Sequence, residues 1–433
     1  MEIKKVCTFN SYICNAVDLL KLINKPMKTR KFSFTIKTIL CFVLIVFFKS
    51  GISQHIFSFE SILNKKPILK MVSSDLKKYR LQIIYTQITR DNDGKPSFKN
   101  YTYQLDSTNY FYCASLVKLP CSILALEKLN ELNIDKNTTM FTDSANACQH
   151  SVKKDTSSNN GYPSIAQYIK RMLLVSDNSA YGRVYEFLGA DYLSNRLFNL
   201  GYKNMRIVHR FDGGCKYLEH TTTNPVSFYS SDLKLVYQQN QQSSIKSYSN
   251  PIGTIKIGKA YLDAQNKKVN EPKDFTNMNY ISLQSIHSVL QRLVFNEFLA
   301  VNQQYNLSKL DRDFLLKYLT MYPRESTFPS YNKTYFDSYK KYFIYGDSKK
   351  PIANADVKIT NIVGQSYGFM VDCAYIQNIK EDVEFMLSAV IYTNEDGIIN
   401  DGKYEYNSIA LPFLAELGRQ IYDFELKKNK QKK

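Results

Sequence analysis

The stretch YFYCASLVKLPCSI, residues 110–123, sets Ser115 three residues before Lys118. A serine that opens a helix sits at the positive end of the helix dipole, which favours anionic intermediates. A lysine three residues on comes to the same face. Buried there, its amine loses affinity for its proton and can accept one from the hydroxyl, leaving a nucleophilic oxygen. The spacing alone is weak, because six other Ser-x-x-Lys stretches begin at Ser74, Ser151, Ser231, Ser243, Ser330 and Ser338. A capping serine beside a snorkelling lysine gives the same tetrapeptide. Context separates Ser115: an aromatic extended run precedes it and an apolar helix follows. The second candidate is Ser176-Asp177-Asn178, the only Ser-Asp-Asn in the chain. These residue types also favour helix caps, so this short motif decides nothing alone.

The elements that must position these groups read as follows. Residues 59–79 have the pattern of one helix. Residues 80–106 alternate, break at DNDGKP and alternate again, which predicts a hairpin. Residues 115–132 have helical periodicity, with Pro120 kinking the helix unless it falls in the first turn. Helical patterns recur at 164–175, 179–189 and 282–299, and residues 135–350 are mostly helices and loops. Strands are expected at 356–363, 367–378 and 383–394, followed by a last helix over 407–426. The early and late strands must share one sheet to bury their apolar faces. The fold class is therefore α+β.

Together the motifs carry a resemblance. CASLVK opening a helix, with VSDNSA downstream, resembles the penicillin-recognising serine hydrolases, in particular the class A β-lactamase-like group. NIVGQSYGFMVDCAYIQN followed by VEFMLSAVIYTNEDG is similar to the strand bearing that family's third motif, Lys-Thr/Ser-Gly, and the strand after it. TTTNPVSFY, MYPRESTFPSYN and YGDSKKP are similar to an exported bacterial serine hydrolase branch. The resemblance covers about residues 60–425. It implies a three-layer α/β/α arrangement in which an antiparallel sheet of N- and C-terminal strands is flanked by helices. A large, mainly helical subdomain is expected over about 119–350.

For the site, the resemblance implies that Ser115 is acylated and that Lys118 helps to activate it. Ser176 relays a proton to the leaving nitrogen, and Asn178 holds the substrate amide and Lys118. The backbone N–H groups of Ser115 and Gln365 form the oxyanion hole. Asn361, Val363 and Gly364 line the substrate. No metal or cofactor is implied. The third motif departs from the pattern, because Ile362 stands where its lysine is expected. Lys358, on the same strand face, is roughly 13 Å away and cannot substitute. Without that like charge, Lys118 is expected nearer its ordinary pKa. The family's water-activating glutamate has only weak counterparts, Glu219 and Asp212. Residues 230–350 are long for a compact member and read as an insertion, either a lid and enlarged helical region or structural padding.

The chain has 433 residues, 44% of them hydrophobic, and a net charge of +18. Residues 1–53 hold nine Lys/Arg against two acids, which leaves +11 on the rest. That favours anionic surroundings, although the basic residues are scattered and nucleic acid is not expected as a partner. Met27–Gln54 has a basic head, an apolar run from Thr38 to Phe48, and Gly51 and Ser53 at cleavage spacing. The run is short for a membrane span. The expected organisation is a leader over 1–53 with a signal peptide in 27–53, one domain over 54–425, and a frayed basic tail over 426–433. Export to a bacterial periplasm or the medium follows, as a monomer. Five cysteines remain after the leader, and Cys148 with Cys215 is the one candidate disulfide. Three readings stay open: a hydrolase of a β-lactam or related amide, a peptidase on cell-wall peptides, and a degenerate member that binds without turnover.

Overall fold

Five antiparallel strands form the central sheet of the computed structural model, which describes residues 57–430 except 145–149, 212–219, 245, 247, 332–333 and 355. They are β1 (Gln82–Arg90), β2 (Pro96–Tyr103), β3 (Lys358–Ser366), β4 (Phe369–Asn378) and β5 (Val383–Tyr392), in the order β3-β4-β5-β1-β2. The early hairpin joins the late strands through β1 and β5, with Gln82 opposite Val390 and Gln87 opposite Phe385. The hairpin turn is held by Asp91, whose carboxylate accepts from the N–H groups of Asp93 and Lys95.

Helices cover both faces. They are α1 (Phe59–Leu63), α2 (Pro67–Ser74), α3 (Lys118–Glu131), α4 (Ile165–Val175), α5 (Asn178–Leu188), α6 (Leu283–Val294), α7 (Lys309–Thr320) and α8 (Leu411–Lys430). Neighbouring residues of a strand point to opposite faces. Tyr85 donates to Glu425 of α8, whereas Thr86 bonds His287 of α6. Helices α8 and α6 therefore sandwich the sheet between them. The middle of the chain is less helical than its pattern suggests, because Thr139–Thr142, Val226–Tyr229 and Leu235–Gln239 pair as a second small sheet.

Two local expectations are corrected. Residues 59–79 form three short helices, not one. Pro67 forces Lys66 into extended backbone, and Asp75 caps a new turn by accepting from the Lys78 N–H. At the other end α8 runs on to Lys430, so 426–430 is helix rather than frayed tail. The Asn429 side chain donates to the Asp382 carbonyl there. By contrast Pro120 lies in the first turn of α3, where its missing N–H costs nothing, and no kink is needed. Among the described residues no helix is long and apolar enough to cross a membrane. The expected leader and signal peptide lie outside the described residues.

His287 makes the core acid-sensitive. Thr86 donates to Asn100, so it accepts from His287 Nε2–H, and Nδ1 then accepts from Ser388 Oγ–H at 2.7 Å. The ring is buried and neutral, with burial lowering its pKa from 6.5 to about 4. The unfolded chain takes up this proton first. Stability from His287 is thus complete above pH 6.5 and is lost as pH falls to about 4, by roughly 3 kcal/mol. Urea unfolding at pH 7 and pH 4 should show this loss in the wild type, and a shallower slope in His287→Gln.

Candidate active site

Ser115 sits on a tight 3-10 turn, Ala114–Val117, that runs directly into α3 at Lys118. In a 3-10 turn residues three apart eclipse one another, so the lysine stands over the serine. Ala114 carries φ +44°, a left-handed conformation that costs a residue with a Cβ about 1–3 kcal/mol. The Cys113 carbonyl accepts from the Leu116 N–H at 3.0 Å and closes the turn. Strand β3 passes hard against it. A Cβ on Gly364 would lie 2.7 Å from the Cys113 carbonyl oxygen, so only glycine admits this approach.

The Ser-Asp-Asn segment comes to the same place, each residue with a backbone task. Ser176 ends α4 in the left-handed region, at φ +61°. Asp177 caps α5 by accepting from the Ala180 N–H, and Arg171 anchors its other oxygen at 2.8 Å. Asn178 is the first residue of α5. One tripeptide therefore ends α4, caps α5 and reaches Ser115 Oγ.

Lys118 Nζ is the hub. It lies 2.9 Å from Ser115 Oγ, 2.9 Å from Ser176 Oγ, 2.7 Å from Asn178 Oδ1 and 2.5 Å from the Ser176 carbonyl oxygen. Ser176 Oγ donates to Ser115 Oγ at 2.6 Å. Asn178 Oδ1 and the Ser176 carbonyl can only accept, and in the neutral form of the amine they take both of its N–H bonds. The lone pair is then left for a hydroxyl, and Ser115 Oγ–H is in reach. Burial holds the Lys118 pKa well below its usual value; the charge of Lys340 lowers it further, and Asp177 opposes both. Lys118 was expected nearer its ordinary pKa without a third-motif lysine, but burial holds its pKa well down and the charge of Lys340 adds to that.

Two cavities open on Ser115. One, of about 410 Å³, is walled by Tyr112, His209, Phe211, Met278 and Tyr367. The other, of about 530 Å³, is walled by Tyr339, Lys340, Tyr342, Val363 and Tyr406. Gln365 and Asn178 border both, and Ser176 borders the second. The structure thus brings Ser115, Lys118, Ser176, Asn178, Val363 and Gln365 together, and sets Gly364 against the Cys113 carbonyl. Asn361 does not join them. Its buried side chain donates to the Lys340 carbonyl and to Asp372, and accepts from Lys341 Nζ, so it fastens structure instead of lining substrate. Ile362 is wholly buried in the apolar core. The last part of the supposed insertion, residues 336–349, forms a wall of the cleft.

Most of these wall residues carry no sequence signal. The tyrosines near 339–345 are visible as a cluster, but nothing in their spacing links them to Ser115. His209 shapes a wall without titrating near neutrality. Its Nδ1–H donates to the Arg210 carbonyl, Nε2 accepts from the Asn279 N–H, and burial lowers its pKa to about 4. Arg210 is fully buried against Glu186, at 2.8 Å, and Glu186 also accepts from Arg183 and Asn224. Removing one charge of such a pair strands the other, so Glu186→Gln should lower unfolding free energy by about 3–5 kcal/mol in denaturant melts. Glu219, Asp212, Cys148 and Cys215 lie outside the described residues. Cys113, Cys121 and Cys373 are buried free thiols whose pKa values burial raises.

Comparison with known proteins gives the following. No curated protein sequence matches the chain. Among solved structures, it is similar to a beta lactamase from Xanthomonas campestris pv. campestris, at 13% identity over 82% of this chain and 96% of that one, with a TM-score of 0.46. A beta lactamase from Burkholderia vietnamiensis is 13% identical over 86% of this chain and 98% of that one, with a TM-score of 0.46. PBP-A is 12% identical over 85% and 94%, with a TM-score of 0.45. The model of the beta-lactamase enzyme family matches residues 77–424. That match spans most of the chain, from the first strand to the last helix and across the whole Ser115 cluster, and the chain therefore belongs to the beta-lactamase enzyme family, as a serine hydrolase of the β-lactamase type.

Proposed function

We propose that the chain is an exported serine hydrolase that forms an acyl-enzyme on Ser115 with a β-lactam or a related amide. The observation that carries this reading is the convergence of Ser115, Ser176 and Asn178 on the buried amine of Lys118. Lys118 takes the proton of Ser115 Oγ as that oxygen attacks the carbonyl carbon. The resulting oxyanion accepts from the N–H groups of Ser115 and Gln365, each worth roughly 3–4 kcal/mol at the transition state. As the C–N bond breaks, Ser176 Oγ–H passes its proton to the leaving nitrogen and recovers one from Lys118. Water then cleaves the serine ester. The basic head and apolar run of Met27–Phe48 support export.

Intact-mass spectrometry after exposure to a labelled penicillin tests the reading, on the wild type and on Ser115→Ala. A transient adduct with turnover, lost in Ser115→Ala, is expected. A persistent adduct would mark penicillin-binding-protein behaviour on wall peptides. No adduct in the wild type would overturn the catalytic reading and leave a binding protein.

A further inference from the structure

The third-motif strand has lost its lysine, yet the cleft holds a second ammonium group. Lys340 comes from a 3-10 turn, Asp337–Lys340, that lies outside the sheet. Its side chain is buried and borders the same cavity as Ser115, Ser176 and Asn178. Lys340 Nζ donates to the Leu173 carbonyl of α4, three residues before Ser176. Its own carbonyl accepts from Asn361 Nδ2 at 2.6 Å, beside Ile362 on β3. Lys341 is locked alongside, donating to the Leu319 and Ile359 carbonyls and to Asn361 Oδ1. The backbone N–H groups of Tyr342 and Phe343 donate to Asp372 of β4. The segment is thus stitched to β3 and β4 by every residue from 340 to 343. Such fastening holds a charge at a set place in the cleft.

We propose that Lys340 is the second cation of this active site, brought in from the 337–343 segment in place of a strand lysine, and that it acts as a positioning residue on Lys118. The proposal rests on the acyl-enzyme reading for its purpose, although the electrostatic link to Lys118 can be measured without it. A cation beside an amine disfavours a second proton there. The charged groups that act on Lys340 are Lys118 on α3, Asp372 on β4 and Lys341 of its own segment, and Tyr339 and Tyr342 line the cavity beside it, whereas Asp177 acts on Lys118. Lys349, Tyr404 and Tyr406 share the cavity. Burial lowers the Lys340 pKa to about 7, opposed by Asp372, and burial raises that of Asp372 to about 7. As pH falls through about 7, Lys340 gains its proton and Asp372 loses its charge, with Lys341, lowered to about 7 by burial and by the charge of Lys340, titrating alongside, so the positive field on Lys118 grows. Above pH 8 Lys340 is itself neutral and the field fades.

Lys340→Met and Lys340→Arg in the full chain test this, by two readouts. The first is the titration of Lys118, followed by NMR in protein carrying lysine labelled at Cε and assigned with Lys118→Met. Lys340→Met should raise the Lys118 pKa by about one unit, and Lys340→Arg should leave it at the wild-type value. The second is the rate of covalent labelling by penicillin from pH 5 to pH 9. Lys340→Met should slow it by up to tenfold on the acid side of the profile and hardly at all above pH 8, with Lys340→Arg restoring the acid-side rate. An unshifted Lys118 in a folded Lys340→Met, or an equal loss of rate at every pH, overturns the proposal. Should the wild type form no adduct, the acyl-enzyme reading falls, and the Lys118 titration still decides the role of Lys340.

Discussion

Lys118→Met is expected to slow acylation of Ser115 by about a thousandfold, within the 10²–10⁴ range of a lost general base. The methionine keeps the volume of the side chain and removes the lone pair that receives the Ser115 proton. Lys118→Arg should not recover the rate, because a guanidinium stays protonated at any working pH. In the wild type the rate should rise with pH through the depressed pKa of Lys118 and level off far below the usual lysine value. Stability should move the other way from activity. The folded pKa of Lys118 lies below that of the unfolded chain, so folding is opposed as pH falls below 10.5 and the unfolded amine gains its proton first. Removing the amine removes that opposition. Lys118→Met should therefore melt at or above the wild-type temperature at pH 7 while labelling very slowly. A parallel loss of Tm and rate would show that the lysine is needed mainly for folding.

Gly364→Ala should reduce acylation by 10²–10³ and cost about 1–3 kcal/mol of stability. The added methyl would meet the Cys113 carbonyl oxygen at 2.7 Å and Leu116 Cγ at 3.3 Å. Strand β3 or the Ser115 turn must then move, and the Gln365 N–H moves with the strand. A displacement of even 1 Å at such a donor is enough to cost a factor of 10². Gln365→Ala is the control. Its contribution to the oxyanion hole is a backbone N–H, so loss of the side chain should change the rate less than tenfold. Stopped-flow labelling and thermal melts on both variants separate a steric effect at the strand from any role of the glutamine amide.

Much of the frame was legible from local pattern. The hairpin at Gln82–Tyr103, the three late strands and helices α3, α4, α5 and α6 follow from periodicity, because apolar spacing reports which face of an element is buried. The failures were places where one residue redirects the backbone. Pro67 and Asp75 divided an apparently continuous helix, and paired strands at 139–142 and 226–239 interrupted the helical middle.

At the site, the division follows reach along the chain. Ser115 and Lys118 are one turn apart, and Ser176 to Asn178 are consecutive, so two short local motifs, read together through the family resemblance, named the four groups that meet. Whether the amine is neutral, what walls the cleft and which lysine supports it depend on segments that return from far along the chain. Asn361 was misread because it lies on the motif strand, whereas its neighbours Lys340, Lys341 and Asp372 take all of its hydrogen bonds. Ile362 looked like a missing charge for the same reason. The amino-acid order pointed to the proposed nucleophile, its proposed base and the strands of the sheet, through patterns carried within single elements. Only tertiary packing decided the electrostatics, because a buried charge acts through space on whatever the fold has set beside it.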